Sequence, residues 1–441
     1  MSNPPPNFVI CARWVVPVVP SGSVLPNHTI VIRQGRIEAI LPTDALADAQ
    51  LSLPRIDLPT HLVTAGFVNT HGHAAMTLLR GFADDLELMD WLNNHIWPVE
   101  GQWVDESFVY DGTSLAIAEM LGSGTTCAAD TYFFPNAVAR AMRDQGFRGQ
   151  VCMPVIQFPN RWAESEHQHV EKALQFHDSV RDEPRITTAF APHAPYTVSD
   201  EGFEAVVAHA NALGIPVHLH LNETHSEVDA ALKDTGQSPL ARLQALGLLT
   251  THLQAVHMTA LSEPEIQLIA AHNVHIAHCP ESNMKLASGI CPVQTLLDHG
   301  VNVALGTDSA ASNNNLDMLG EARSAAFLSK VSTLDATSIS AADALSMATI
   351  NGARLLGLEE DIGSLEPGKS ADIIAVDFGN INFAPMHNPL SQLIYVASGQ
   401  NVSHTWIAGE CLYQGGVYNR LDIDDLEERV SSWQQKIQGD A

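Results

Sequence analysis

His71 and His73 stand one residue apart at the end of an apolar run, and the chain later supplies His220-Leu221-Asn222-Glu223, His257 and Asp308. Side chains alternate across a strand with a period of two, so His71 and His73 share a face and can grip one ion together. Three imidazoles and one carboxylate, from His71, His73, His220 and Asp308, form a nitrogen and oxygen donor set suited to a zinc-like divalent cation. Such a centre keeps a position open for water and pulls that water's pKa down toward about 7. The expected chemistry is hydrolysis by metal-activated water, with zinc as the first choice and iron, nickel and manganese compatible with the same ligands. Asp308 can serve twice, as a ligand and as the base that takes the water's proton. Glu223 lies three residues past His220, where a strand gives way to a loop or helix, so its carboxyl can turn back into the same cavity. Partly desolvated there, it would act as proton donor to a substrate ring nitrogen; the plain alternative is a first-turn glutamate favoured by a helix dipole. His257 can hydrogen-bond the activated water or orient a ligand; the plain alternative, and for a lone inward histidine the more common one, is a satisfied core histidine. His218 faces inward at the phase of His220, as packing or support, and His275 and His278 fall on opposite faces of one run.

A chain with 21 histidines produces such spacings by accident, so the argument rests on where the candidates fall. Apolar, β-rich runs occur at Leu62 to Asn69, Thr125 to Thr131, Gln150 to Gln157, Ile186 to Pro192, Pro216 to Asn222, Leu253 to Met258, Val274 to Cys279 and Asn302 to Thr307. Most are near-continuous in hydrophobic residues, as parallel strands buried on both faces are, and the stretches between them are long enough for crossover helices. Asp111 to Leu121, Ser199 to Leu213 with Ser199 as N-cap, and the alanine-rich Ala341 to Leu356 read as helices. Eight such units predict an α/β chain with a (β/α)8 TIM-type barrel, whose active sites lie at the C-terminal ends of the strands. His71, His73, His193, His220, Glu223, His257 and Asp308 all fall at that end of their runs. The flanking sequence differs in texture: Ile30 to Ile37 and Ser370 to Asp377 look like short strands beside turns at Gln34-Gly35 and Pro367-Gly368. The expected division is a catalytic barrel over residues 59–360 and a small β-sandwich built from 1–58 and 361–441, with a surface helix over Asp424 to Gln438.

The 441 residues exceed the roughly 250 to 300 at which single cores stop growing, in keeping with a barrel and a companion. Fifty acidic against 22 basic residues give a formal charge of −28, which repels phosphate backbones and anionic lipid and disfavours both as partners. The six cysteines show no CxxC pair and no dense spacing, so neither a disulfide framework nor a sulfur-ligated metal is indicated and a reducing cytoplasm fits. The polar, proline-rich start from Met1 to Asn7 does not read as a signal peptide, and no uninterrupted apolar stretch reaches about 18 residues.

Gly66-Phe67-Val68-Asn69-Thr70-His71-Gly72-His73, His220-Leu221-Asn222-Glu223, His278-Cys279-Pro280-Glu281-Ser282-Asn283-Met284-Lys285-Leu286 and Gly306-Thr307-Asp308-Ser309 together resemble the metal-dependent amidohydrolase superfamily. Within it they are similar to the 5-methylthioadenosine/S-adenosylhomocysteine deaminases. The likeness runs over nearly the whole chain, including Gly363 to Asp372 in the flanking β region. The resemblance implies one divalent metal ion per subunit on His71, His73, His220 and Asp308, Glu223 shuttling a proton to the purine ring, and His257 assisting the activated water. It also implies that Glu100, in Trp97-Pro98-Val99-Glu100, binds the ribose hydroxyls and that His193, in Ala191-Pro192-His193-Ala194-Pro195-Tyr196, contacts the ring. Ala65 departs from the proline that commonly precedes the glycine before the first histidine, and Arg161 is a candidate for the arginine some members use on the ribose side. Binuclear members carry a bridging lysine on the fourth strand; Ile186 to Pro192 has none, which favours a mononuclear site and aromatic-ring deamination. The expected partner is a small purine nucleoside, and the sequence leaves assembly into a homo-oligomer open. Guanine, pterin or cytosine deaminases and triazine hydrolases share the barrel and metal site and are the nearest alternatives; a catalytically silent scaffold would have lost a ligand, and all four are present.

Overall fold

The near-continuous apolar runs pair side by side into one parallel sheet. Its strands are Phe67–Asn69, Thr125–Thr131, Arg148–Val155, Ile186–Pro192, Val217–Leu221, Leu253–His257, His275–His278 and Val303–Leu305, the first to eighth barrel strands, and they follow one another in sequence order. Almost every residue in them is buried, which is why they lack the alternation of a half-exposed strand. The structure, a computed structural model, describes residues 7–439; residues 1–6 of the proline-rich start lie outside the described residues. In the parallel registers Val256 lies beside His220, Gln254 beside both His218 and His275, and Ile276 beside Val303. The seam is closed by Thr70, whose backbone N and Oγ1 both donate to Leu305 O, at 3.0 and 2.8 Å. These contacts complete the (β/α)8 barrel that the sequence predicts.

Crossover helices between the strands are set by local signals. Ser199 Oγ accepts from Gly202 N at 3.0 Å and starts the helix Asp200–Leu213, which ends at Gly214 in a left-handed conformation. Two expected elements come out differently. The run Leu62 to Asn69 is split: Arg55–Ala65 belongs to the other sheet, and the first barrel strand begins at Phe67. The break falls at Gly66, where a Cβ would sit 2.1 Å from Thr126 Oγ1, so only glycine lets the chain pass there. The stretch Ala341 to Leu356 is two helices, Ala341–Met347 and Ile350–Leu355. Ala348 O accepts from Val68 N at 2.9 Å, in the first barrel strand, and that diverted carbonyl ends the helix.

The second sheet is mixed and draws on both ends of the chain, from Phe8–Val16 through Arg55–Ala65 to Ile373–Asp377 and Val402–Ile407. Strands Leu25–Arg33 and Arg36–Pro42 form a hairpin turned at Gln34 and Gly35, both at positive φ. By compactness, one unit gathers Met1–Asn69, Ala118–Cys127 and Asp317–Leu421, and the other Thr70–Ile117, Ala128–Leu316 and Asp422–Ala441. The last helix, Ile423–Gly439, lies in the second unit, where Arg429 pairs with Asp111 and Trp433 Nε1 donates to Asp111 Oδ2 at 2.8 Å. Among the described residues no helix is long and apolar enough to cross a membrane.

At the seam, a Cβ on Gly306 would lie 2.7 Å from His71 N and 3.1 Å from His71 O, against backbone that cannot swing aside. Gly306→Ala is expected to cost about 1–3 kcal/mol, read as a lower thermal midpoint; an unchanged midpoint would show that the seam can shift.

Candidate active site

The barrel brings His71, His73, His220 and Asp308 to a single point. His71 Nε2 lies 3.2 Å from His220 Nε2, and Asp308 Oδ1 is 3.3 Å from His71 Nε2 and 3.4 Å from His73 Nε2. The opposite ring nitrogens are tied outward: His73 Nδ1 to Thr131 O at 2.6 Å and His220 Nδ1 to His193 O at 2.8 Å. A carbonyl oxygen only accepts, so in both rings the proton sits on Nδ1 and Nε2 is a bare lone pair. His71 Nδ1 is likewise occupied, by His218 Nε2 at 2.8 Å. Bare nitrogens this close have no proton to share, and a cation among them removes the conflict. The donor set therefore fits a divalent metal, with each histidine oriented through its second nitrogen as metal-binding histidines are.

Two residues of the site, His257 at the end of its strand and Asp308 in the loop just past Leu305, hold an unusual backbone conformation. His257 has φ +72° and Asp308 φ +59°, the left-handed region that costs a non-glycine residue on the order of 1–3 kcal/mol. Asp308 N donates to His71 O at 3.0 Å, and Asp308 Oδ2 accepts from Ser282 Oγ at 2.6 Å and Ser312 Oγ at 3.1 Å, which leaves Oδ1 to the histidines. Burial holds the His71 and His220 pKa values well below the usual imidazole range, with neighbouring histidines adding to it for His220, so both stay neutral. Burial alone would raise the Asp308 carboxyl, but the imidazoles packed around it, His71 foremost with His73 and His257, hold it well below the ordinary value.

Glu223 lies directly before the helix His225–Thr235, which is capped by Thr224, so it is not a first-turn glutamate. Its carboxyl is buried, accepts from Ser288 Oγ at 3.1 Å, and has His257 Nε2 at 3.7 Å. Burial raises its pKa, opposed by the His257 charge, so the proton is retained more readily than on a free glutamate. His257 Nδ1 meets Asn283 Oδ1 at 2.9 Å, so its Nε2 is the nitrogen left toward Glu223.

A cavity of about 470 Å³ opens over this cluster, and His73, His193, His220, Glu223, His257 and Asp308 all line it. Glu100 lines it as well; Tyr132 OH donates to Glu100 Oε1 at 2.6 Å, and burial pushes the Glu100 carboxyl up to about 7 against the pull of that hydrogen bond. His193 is held by Thr197 Oγ1 at 3.0 Å and lowered by burial to about 4. Arg161 reaches the same cavity, with Nη1 donating to Gln102 O at 2.8 Å. The remaining wall is largely aromatic and aliphatic, including Trp91, Ile96, Phe133 and Phe158. Sequence reasoning did not single out the supports: Thr131, Tyr132, Ser288, Ser312 and Gln254. Ser282 and Asn283 sit inside the His278 to Leu286 motif, and their place beside Cys279 and Pro280 is the available signal; the others carry no local spacing that marks them.

The amidohydrolase family profile matches residues 62–412, some four-fifths of the chain. This chain belongs to the amidohydrolase family. This amidohydrolase is 47% identical over 431 residues to a 5-methylthioadenosine/S-adenosylhomocysteine deaminase of Teredinibacter turnerae, with 98% of each chain covered. It superposes on the crystal structure of an adenosine deaminase from Xanthomonas campestris with bound zinc, with a TM-score of 0.96, 46% identity, and 99% and 100% of the two chains covered. It also resembles an atrazine chlorohydrolase from Arthrobacter aurescens complexed with zinc, with a TM-score of 0.90 over 97% and 100% of the chains, but at 23% identity that likeness carries the fold alone.

Zinc added to the metal-free protein is expected to raise its thermal midpoint, a gain of about 2.7 kcal/mol at a hundredfold excess over Kd, and His73→Ala should lose most of that gain. A parent midpoint indifferent to zinc, nickel, manganese and iron alike would remove the cluster as a metal centre.

Proposed function

We propose that this amidohydrolase deaminates a 6-aminopurine nucleoside carrying a 5′-thioether, 5′-methylthioadenosine or S-adenosylhomocysteine, to the inosine analogue and ammonia. The observation that carries this reading is the buried, proton-retaining Glu223 carboxyl in the same cavity as His73, His220 and Asp308. The similarity to the Teredinibacter turnerae protein over the full length supports the choice of nucleoside. A zinc ion held by His71, His73, His220 and Asp308 would supply the Lewis acidity that makes water a nucleophile near neutral pH.

The chain's own residues divide the remaining work. Glu223 gives its proton to the ring nitrogen next to the carbon that bears the amine, so that negative charge does not build on the ring as the carbon becomes tetrahedral. Asp308 receives the proton of the attacking water through its carboxylate and hands it to the amino group as the C–N bond breaks and ammonia leaves, the proton remaining on the new oxygen passing back to Glu223, while Ser282 and Ser312 keep the Asp308 carboxylate from rotating. His257 stands 3.7 Å from Glu223 and steadies the attacking oxygen with its Nε2 side. His193, neutral through burial, hydrogen-bonds the purine. Glu100 accepts from the ribose hydroxyls with the oxygen that Tyr132 leaves open. The apolar wall excludes water and takes the thioether. Among the described residues the six cysteines form no disulfide and five of them are buried, which supports a reducing, cytoplasmic setting.

Purified, zinc-loaded protein given methylthioadenosine should release ammonia, and Glu223→Gln should lower kcat by about 10²- to 10⁴-fold; turnover no greater than that of the variant would refute deamination. Glu100 is ionised above about pH 7 and protonated below it, so KM for the nucleoside should climb as the pH drops beneath that value. Steady-state kinetics between pH 6 and 8.5 should show Glu100→Gln with a high, flat KM, and a parent KM that stays level would dismiss Glu100 as the ribose contact.

A further inference from the structure

A chain of three buried side chains runs through the barrel interior and ends on His71. Gln254 and His218 are register partners on adjacent parallel strands, which brings Gln254 Oε1 to 3.0 Å from His218 Nδ1. On the far side of the ring, His218 Nε2 lies 2.8 Å from His71 Nδ1. Gln254 and His218 are each 1% exposed and His71 not at all, so no bulk water competes for these bonds. We infer that Gln254 and His218 are positioning residues that act through His71, keeping its proton on Nδ1 and its Nε2 lone pair turned to the metal. This rests on the proposed role of His71 as a ligand.

Two neutral imidazoles in series have two ways to share two protons. With Gln254 Oε1 toward the pair, His218 Nδ1 donates to it, His71 Nδ1 donates to His218 Nε2, and His71 Nε2 is bare. If an amide N–H pointed at His218 instead, every bond would reverse, and the last proton would sit on His71 Nε2, facing Asp308 Oδ1 at 3.3 Å. No metal can bind a nitrogen in that state. Both arrangements hold the same number of protons, so the glutamine at the end of the line selects between them. His73 and His220 need no such device, because backbone carbonyls of Thr131 and His193 fix their tautomers directly.

The test replaces the terminal acceptor and measures zinc affinity by competition with a chromophoric chelator at pH 8, on full-length, metal-stripped protein. Gln254→Met, of similar length but without an acceptor, should weaken zinc binding about 10- to 100-fold. Gln254→Glu, an acceptor at the same place, should stay within about threefold of the parent, a rescue that a merely structural role would not give. Zinc affinity of Gln254→Met equal to that of the parent overturns the relay. Independently of any variant, the parent labelled with ¹⁵N-histidine should show His71 and His218 protonated at Nδ1, and an Nε2–H on His71 in the zinc-loaded protein overturns it too. His71→Ala separates the two readings: if it binds zinc as the parent does, the ligand assignment fails, whereas if it loses zinc while Gln254→Met does not, the relay alone fails.

Discussion

Three imidazole lone pairs and a carboxylate, each within 3.4 Å of a neighbour and all but His73 buried, cannot satisfy one another. Everything around the cluster is organised to leave that deficit in place. The outer nitrogens of His73 and His220 are committed to carbonyls, the second oxygen of Asp308 is committed to two serine hydroxyls, and His71 is committed to His218. Each outward bond takes up a proton or lone pair that would otherwise have softened the inward repulsion. In an interior of low effective dielectric the remaining acceptors are costly unless a positive charge sits among them. The protein has spent its available donors everywhere except at the centre.

The same logic explains why the cluster stands where strands end. A strand interior gives its backbone to its neighbours, whereas the last residue or the loop just past it can depart from extended geometry, as His257 and Asp308 respectively do in the left-handed region. Conformations of that kind persist only when the surroundings over-determine them. Here the seam bonds from Thr70 to Leu305 and from Asp308 to His71, together with glycine at 306, supply that determination. Stiffness of the barrel and placement of the reactive groups are one property.

Much of this was legible in the sequence because it is periodic or local. The HxH spacing, the apolar runs and the position of each polar residue at a run's end identified the barrel and brought the metal-binding candidates to one rim. The Ser199 cap and the Gln34-Gly35 turn were readable for the same reason. What escaped was set by distant contacts. Gly66 looks like one more residue of a hydrophobic run until Thr126 is seen against it, and the helix break at Ala348 comes from a hydrogen bond its carbonyl accepts from a strand remote in sequence. The carbonyls of Thr131 and His193 leave no trace at all, because every residue type has one. Glu100 had no marking of its own and was reachable only through resemblance, whereas His193 was marked by its place at a run's end and only its contact with the ring came through resemblance.

His193 contributes to the cavity twice, in ways that are chemically independent. Its ring faces the space where a purine would lie, while its main-chain oxygen fixes the tautomer of His220. Exchange of the side chain alters what the cavity recognises and leaves the main-chain oxygen where it was. A lineage built on this barrel can thus change its diet one loop residue at a time while its hydrolytic engine is inherited intact.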